Sequence, residues 1–461
     1  MDIKPSRGKR TVIASEYLKL DTDVITGGGT DETEAVQAIL DKALEWGGLT
    51  LVMDGAATVR GIRLHSNTTI RCCDNSCGFY LADGALRSLV TNADWDFRDI
   101  KNENITLQGG TYNFNREHQA QYPEPEPGSD ERVWNDDPEH PLNYDYFVKR
   151  WCFGMRFFGV KNLIIRDACL LNQRVYTALF INWEHVTVQN VDIPLPDLQY
   201  AQNQDGLHFF GPGHDLVIRD LRGVAGDDLI ALTPDEWDGV SSISDVLIDG
   251  VLLNNSDQGI RMLTHNEGRL DRVTVRNVYG TYKSCGFFMN PYFAKAKGNF
   301  GHILIENVDL RQTYHKYAQY CEPFLFRIGG EYDSLTLRNI RHVDPTDNRP
   351  LVDVSHVFSH PDYVANQHVH LKNLTIDGLQ VFNRNGVKDK MNYISIDGAV
   401  DNLVIHNVQA DREGNESNDS VVCLKPQADV KRMVISGVVT NGIGELVENA
   451  GGKADSIEIK D

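Results

Sequence analysis

One short pattern recurs through most of the chain: an apolar residue, any residue, a second apolar residue, any residue, then Asn or Asp. It reads Leu163-Ile164-Ile165-Arg166-Asp167, Val186-Thr187-Val188-Gln189-Asn190 and Leu216-Val217-Ile218-Arg219-Asp220. It returns around Asp249, Asn277, Asn307, Asn339, Asp377 and Asn407. Successive Asn/Asp positions are 23 (190 − 167) to 38 (377 − 339) residues apart. Period-two alternation of β-branched residues specifies short strands, and a turn residue at one place in each copy specifies a corner. Copies this short cannot bury a face alone and must stack on their neighbours.

The same pattern excludes several repeat folds. No copy holds two amphipathic helices, so helical solenoids fail. Leucine-rich spacing is absent, and so are the Trp-Asp signals of four-stranded propeller blades. The expectation is an all-β chain, a single-stranded right-handed parallel β-helix of about ten or more coils. It takes residues 1–461 as one domain. An open stack needs a cap, placed at about 20–48. There Asp31 and Glu34 suggest a capping box, Ala35, Val36, Ile39, Leu40, Ala43 and Leu44 make an apolar stripe, and Gly47-Gly48 end the helix.

Two insertions break the rhythm. Residues 115–150 carry Pro123, Pro125, Pro127, Pro138 and Pro141, and residues 290–300 carry Lys295 and Lys297. A structureless stretch as long as the first is either functional or a mobile surface loop.

Charge narrows the partners. Lys+Arg 45 against Asp+Glu 65 gives a net −20, which opposes binding to a phosphate backbone or an anionic membrane surface. No apolar run reaches the length of a membrane span. Met1 to Arg10 is polar and basic without an apolar core, which points to a cytoplasmic protein or the mature form of a secreted one. Of the eight cysteines, Cys72, Cys73 and Cys77 cluster, but no partner pair completes a zinc spacing. Reduced thiols are expected, with no metal and no cofactor. Oligomeric state is not encoded in any recognisable pattern.

Two neighbouring copies differ from the rest. One reads Asn203-Gln204-Asp205-Gly206-Leu207-His208-Phe209 and the next Ala225-Gly226-Asp227-Asp228-Leu229. Coils stack at about 4.8 Å, so Asp205, Asp227 and Asp228 are expected close together, with Gly226 supplying a kink. Carboxylates crowded in this way raise at least one pKa and persist where a proton must be held or a cation bound. A single such Asp would be read as a corner acid satisfying turn amides. Alternation places Leu207 and Phe209 inward and His208 outward, with Arg261 in the same outward column.

These segments resemble glycoside hydrolase family 28, the polygalacturonase and rhamnogalacturonase family of right-handed β-helices. Its Asn-Thr-Asp-Gly is similar to Asn203-Gln204-Asp205-Gly206, and its Gly-Asp-Asp to Gly226-Asp227-Asp228. Gly29-Thr30-Asp31-Glu32-Thr33-Glu34-Ala35 also resembles the opening of many pectin-degrading β-helix proteins. The resemblance implies an inverting hydrolase. Asp227 would be the general acid, and Asp205 and Asp228 would hold and deprotonate the attacking water. Asn203, His208, Gln258 and Arg261 would bind substrate.

The chain departs from the family at two motifs. Asp257-Gln258-Gly259 stands where Gly-His-Gly is expected, and Gly259-Ile260-Arg261-Met262-Leu263 lacks the Lys of Arg-Ile-Lys. That loss implies an oligosaccharide or polysaccharide other than homogalacturonan, while the N-terminus without an export signal and the 115–150 insertion point to exo action on short chains. Two further classes compete: a polysaccharide lyase using the acids for calcium, and a non-catalytic carbohydrate-binding β-helix.

Overall fold

The computed structural model describes residues 2–119, 153–195, 203–265, 267–291, 296–313, 323–355 and 368–460. The chain divides into two compact units, Met1–Asp227 and Asp228–Asp461. Most of the expected insertion at 115–150 lies outside the described residues, as do Tyr292, Phe293, Lys295, Cys152 and Cys321.

Three parallel ladders run through the first unit, each taking one strand per coil. In the first, Val12, Leu51, Ile70, Leu107, Ile165, Val188 and Ile218 pair in succession. In the second the column is Ile62, Val90, Met155, Ala178 and Leu207. The third joins Ala57, Phe79, Tyr112 and Leu170. All of these side chains are buried. Each branched aliphatic or aromatic among them removes about 1.5–3 kcal/mol worth of apolar surface from water. Stacking, rather than any single coil, makes that core.

The second unit repeats the plan. Ile248, Val275, Ile305, Leu337, Ile376, Ile405 and Ile435 form one buried column. Ile230, Ile260, Phe287, Phe326, Val352, Ile394 and Val422 form another. Phe287 and Phe326 stack with ring centroids 4.7 Å apart.

The corner residue of the repeat owes its identity to backbone conformation. Asp167, Asn190 and Asp220 have φ of 56°, 51° and 53°, and Asn277, Asn307, Asn339 and Asn407 have φ of 60°, 56°, 51° and 55°. Asn and Asp tolerate this left-handed region better than other side chains. In two copies the expected corner is one residue early. Register places Gly250 opposite Asn277 and Gly378 opposite Asn339, and these glycines adopt φ of 83° and 81°. Asp249 and Asp377 instead accept the amides of Asn277 and Asn407 at 2.7 and 2.8 Å. Asn307 and Asn339 each donate to the Asn one coil before at 3.1 Å.

Conformation therefore dominates this position, and a substitution separates it from the amide ladder. Asn307→Ala should lower unfolding free energy by about 1–2 kcal/mol, because Ala meets the left-handed penalty. Asn307→Gly removes the same amide without that penalty and should cost less. Equal losses in urea melts of the two variants would refute the conformational account.

The expected N-terminal helix is two segments, α1 (Thr33–Leu40) and α2 (Lys42–Trp46). Asp31 accepts the Thr33 N–H at 3.0 Å, but the residue preceding α1 is Glu32, which makes no side-chain cap. Val36, Ile39, Leu40 and Ala43 are buried, whereas Leu44 is 68% exposed. Asp41 between the two segments keeps right-handed helical dihedrals (φ −66°, ψ −17°), and Leu44 lies at the edge of the buried stripe. Gly47 ends α2 at φ 69°. Gln37 of α1 donates to the Arg63 carbonyl at 3.2 Å and accepts the Arg63 N–H at 2.9 Å, which docks the helix on strand Ile62–Leu64. All six described cysteines are free thiols.

Candidate active site

The second ladder of the first unit positions the candidate site. One residue beyond its core column, Arg63, Thr91, Arg156, Leu179 and His208 pair in register. Adjacent strand residues face opposite ways, so this second column points away from the core. From Arg156 onward it is nonetheless covered: Leu179 is fully buried and His208 is 3% exposed. His208 thus takes the outward side that alternation predicts, and that side is covered rather than open to solvent. Strands buried on both faces read as apolar runs, and Ala178-Leu179-Phe180-Ile181 is such a run.

His208 stacks on Tyr176, with ring centroids 4.3 Å apart and planes 13° from parallel. Phe210 meets it edge-on at 4.6 Å. Its Nδ1 lies 2.7 Å from Asp205 Oδ2. A protonated Nδ1 donates to the carboxylate, holding its orientation and favouring its ionised form. Tyr176 lies in turn against Phe153 at 5.1 Å. The imidazole is thus clamped on two sides before it meets the acid.

Asp227 reaches the same place from the next coil. It sits in the bend that precedes strand Asp228–Thr233, and its Oδ2 accepts the Asn203 N–H at 2.9 Å. Gly226 and Asp227 both direct their N–H groups to the Gln204 carbonyl, at 3.0 and 3.3 Å. Oxygens of Asp205 and Asp227 lie within 4.8 Å of one another, and both residues are buried. Gln204 is fully buried and donates to the Gln173 carbonyl at 3.0 Å. That bond ties two coils together beside the acids.

In the second unit, Asp228 opens its strand and pairs in register with Gln258; both are buried. Arg261 pairs with Ala231 and Phe288. Its guanidinium lies 3.7 Å above the Phe288 ring, and Nη1 donates to Asn290 Oδ1 at 3.3 Å. Arg261 is 4% exposed, so it is held in a packed environment rather than on an open outward face. Trp183 and Trp237 are also buried, and Trp183 donates its indole N–H to the Phe210 carbonyl at 2.9 Å.

Sequence reasoning missed one element of this region. A cavity of about 630 Å³ in the first unit is lined by Arg63, Arg87, Arg156, Thr91, Glu34 and Asp41, among others. Arg63, Thr91 and Arg156 belong to the column that leads to His208. Arg156 is two ladder steps from His208, roughly 10 Å at the spacing between strands. Burial pushes its pKa down to about 10, still well above neutrality. Arg156 also lies 5.2 Å from the centroid of Phe158 and 5.8 Å from that of Trp95. The only sequence signal was an arginine inside an otherwise apolar strand, Met155-Arg156-Phe157-Phe158.

Comparisons with known proteins agree on architecture. No protein-family model and no curated protein matches the sequence. Among solved structures, the chain resembles a family 28 exopolygalacturonase of Yersinia enterocolitica, with 12% identity and a TM-score of 0.51, over 99% of this chain and 79% of that one. It also resembles a hyperthermoactive exopolygalacturonase of Thermotoga maritima, with 13% identity and a TM-score of 0.51, over 99% and 93%. A tailspike protein mutant of E. coli bacteriophage HK620, in complex with pentasaccharide, superposes with a TM-score of 0.61 at 12% identity, over 92% and 76%. At these identities the likeness carries the fold, mostly β and of the parallel β-helix kind.

Proposed function

We propose that this chain is a glycoside hydrolase acting on an oligosaccharide or polysaccharide that bears an acidic group. The carrying observation is the pair of buried carboxylates, Asp205 and Asp227, brought within 4.8 Å from successive coils, one of them held by a clamped histidine. Structural elements rarely need such a pair, because like charges in a buried place repel. Glycosidic cleavage does need it: one carboxyl protonates the leaving oxygen and another activates water or attacks the sugar.

In this proposal Asp227 is the general acid. Asp205, oriented by His208, and Asp228, peptide-bonded to Asp227, hold and deprotonate the water. His208 becomes a positioning residue, because its Nδ1 is directed to Asp205. Asn203 contributes its backbone N–H to Asp227, and Gln258 and Arg261 remain proposed substrate contacts. The arginine-lined cavity on the His208 column favours an acidic substituent, such as a uronate carboxylate. These arginines stand at other positions than the family's Arg-Ile-Lys, so an acidic substrate other than homogalacturonan fits both observations.

Stereochemistry is tested by the product. Inverting enzymes separate their carboxyl groups by ~6.5–9.5 Å to admit water, and the nearest oxygens here are closer than that. The inverting assignment thus rests on the resemblance. Neutral and uronic oligosaccharides should be incubated with the protein and the first-formed anomer followed by NMR. We expect cleavage of a uronic substrate with inversion. Retention would overturn the stereochemistry, and an unsaturated uronate lost on adding chelator would replace the hydrolase with a lyase.

A further inference from the structure

A second convergence of chemically active side chains lies on a corner of the first unit. Strand Ala178–Ile193 and strand Gly213–Gly223 pair with Glu184 opposite His214 and Val186 opposite Leu216. This register sets His185 opposite Asp215. Two imidazoles and two carboxylates thus occupy one two-coil square.

His185 stands where the preceding coils carry an amide ladder. Asn104 donates to Asn67 and Asn162 to Asn104, both at 2.9 Å. Register continues that column from Asn162 to His185. His185 adopts φ 55° and Asp215 φ 59°, so both keep the left-handed conformation of the corner, while the ladder amide is exchanged for an imidazole.

The distances suit metal coordination. His185 Nδ1 lies 2.9 Å from Asp215 Oδ2, and His214 Nδ1 lies 3.4 Å from the same oxygen. One ligand atom from each of the three falls within 4.8 Å of the others. Bonds of ~2.0–2.1 Å in a tetrahedral zinc site put ligand atoms roughly 3.3 Å apart, a value inside this range. The imidazole rings are nearly perpendicular, with centroids 5.4 Å apart, so they are not stacked against each other.

A supporting shell is also present. His214 Nε2 faces Glu184 Oε1 at 3.8 Å, and Glu184 is anchored by Lys161 Nζ at 2.8 Å. Metal-ligating histidines direct their second nitrogen to a carboxylate; the gap here is wider than a hydrogen bond, so Glu184 stands as a nearby acceptor that His214 reaches by a small ring movement. His185, His214 and Asp215 are each nearly half exposed, so an ion reaches them without any opening of the fold.

We propose that His185, His214 and Asp215 bind one divalent transition-metal ion of the zinc class, with Glu184 as positioning residue and water in the remaining position. Imidazole and carboxylate ligands suit zinc, whereas calcium and magnesium take oxygen ligands. The proposal is independent of the hydrolase assignment.

The test is a calorimetric titration of the chelator-stripped full chain with zinc chloride, repeated with Co²⁺ as a spectroscopic probe. His185→Asn fits the left-handed corner and extends the amide ladder, so it removes a ligand without threatening the fold. We expect one equivalent of zinc that depends on these residues. Affinity should fall by about tenfold or more in His185→Asn and in His214→Ala, and Glu184→Gln should shift the Co²⁺ spectrum while retaining the ion. Asp227→Asn should leave this equivalent in place. Absence of binding to the parent chain would overturn the proposal, as would unchanged affinity in the His185→Asn/His214→Ala double variant.

Discussion

Replacing Asp227 by Asn should lower turnover by about 10²–10⁴-fold, the range carried by a positioned acid–base group. The substitution is nearly isosteric, and the Asn side-chain oxygen can still accept the Asn203 N–H that Asp227 accepts at 2.9 Å. Thermal unfolding should therefore stay close to that of the parent, which separates chemistry from folding. Leaving-group dependence sharpens the test. A nitrophenyl glycoside of the released sugar needs little protonation at its leaving oxygen, so Asp227→Asn should lose less on it than on the natural linkage. Asp205→Asn should lose comparably on both, because the water still lacks its base. Turnover of Asp227→Asn within about threefold of the parent on the natural linkage would dismiss it as the acid, since general-acid catalysis supplies at least 10²-fold.

The second large effect concerns stability, and it comes from the second unit. Arg412 and Asp419 are both fully buried and meet at 2.6 Å through both carboxylate oxygens. Asp419 also accepts the Met391 N–H and the Tyr393 hydroxyl, each at 2.8 Å. Arg412 donates further to the carbonyls of Val387, Asp389 and Asn415 at 2.7, 3.2 and 2.8 Å. Asp419→Asn leaves the guanidinium buried without its counter-charge, and that should cost about 3–5 kcal/mol in urea unfolding.

Elsewhere, replacing both members of a buried pair by apolar residues is often neutral. Here it should not be. The double variant Arg412→Met/Asp419→Leu strands the carbonyls of Asp389 and Asn415, one N–H and one hydroxyl, each worth about 1–3 kcal/mol when left unsatisfied, while the Val387 carbonyl keeps the amides of Asn383 and Asn415. A double variant as stable as the parent would show that water replaces these partners. A loss below about 1 kcal/mol for Asp419→Asn would place the pair among weakly coupled surface bridges.

Ladders and corners were legible in the sequence because each is set by local chemistry repeated many times. Val188, Ile218 and Ile305 alternate with polar neighbours, and alternation has one physical meaning, a strand with one face in the core. Asn190, Asn277 and Asn307 mark corners because a positive φ admits few other side chains. Two corners were misplaced by one residue because Gly250 and Gly378 meet the same requirement without an amide, and only register distinguishes them. The helix stripe held through Ala43, and only Leu44, at its C-terminal edge, faces solvent.

For the candidate site, motif spacing singled out Asp205, Asp227 and Asp228, and Asn203 joined them through its backbone rather than its side chain. His208 was recognised, but the cover over it was not legible. Alternation tells which side of a strand a residue takes, not whether that side is covered, and His208 lies against Tyr176 and Phe210.

What the sequence determined by itself is therefore the stack: strands of period two, left-handed corners at Asn, Asp and Gly, and acidic motifs on successive coils. Only tertiary structure decided what stands beside those motifs. Arg63, Arg87 and Arg156 line one cavity although up to 93 residues (156 − 63) separate them. His185 meets His214 and Asp215 at one corner. The reason is geometric. Strand and corner preferences act within a few residues, whereas these juxtapositions depend on register between coils whose connecting lengths vary widely.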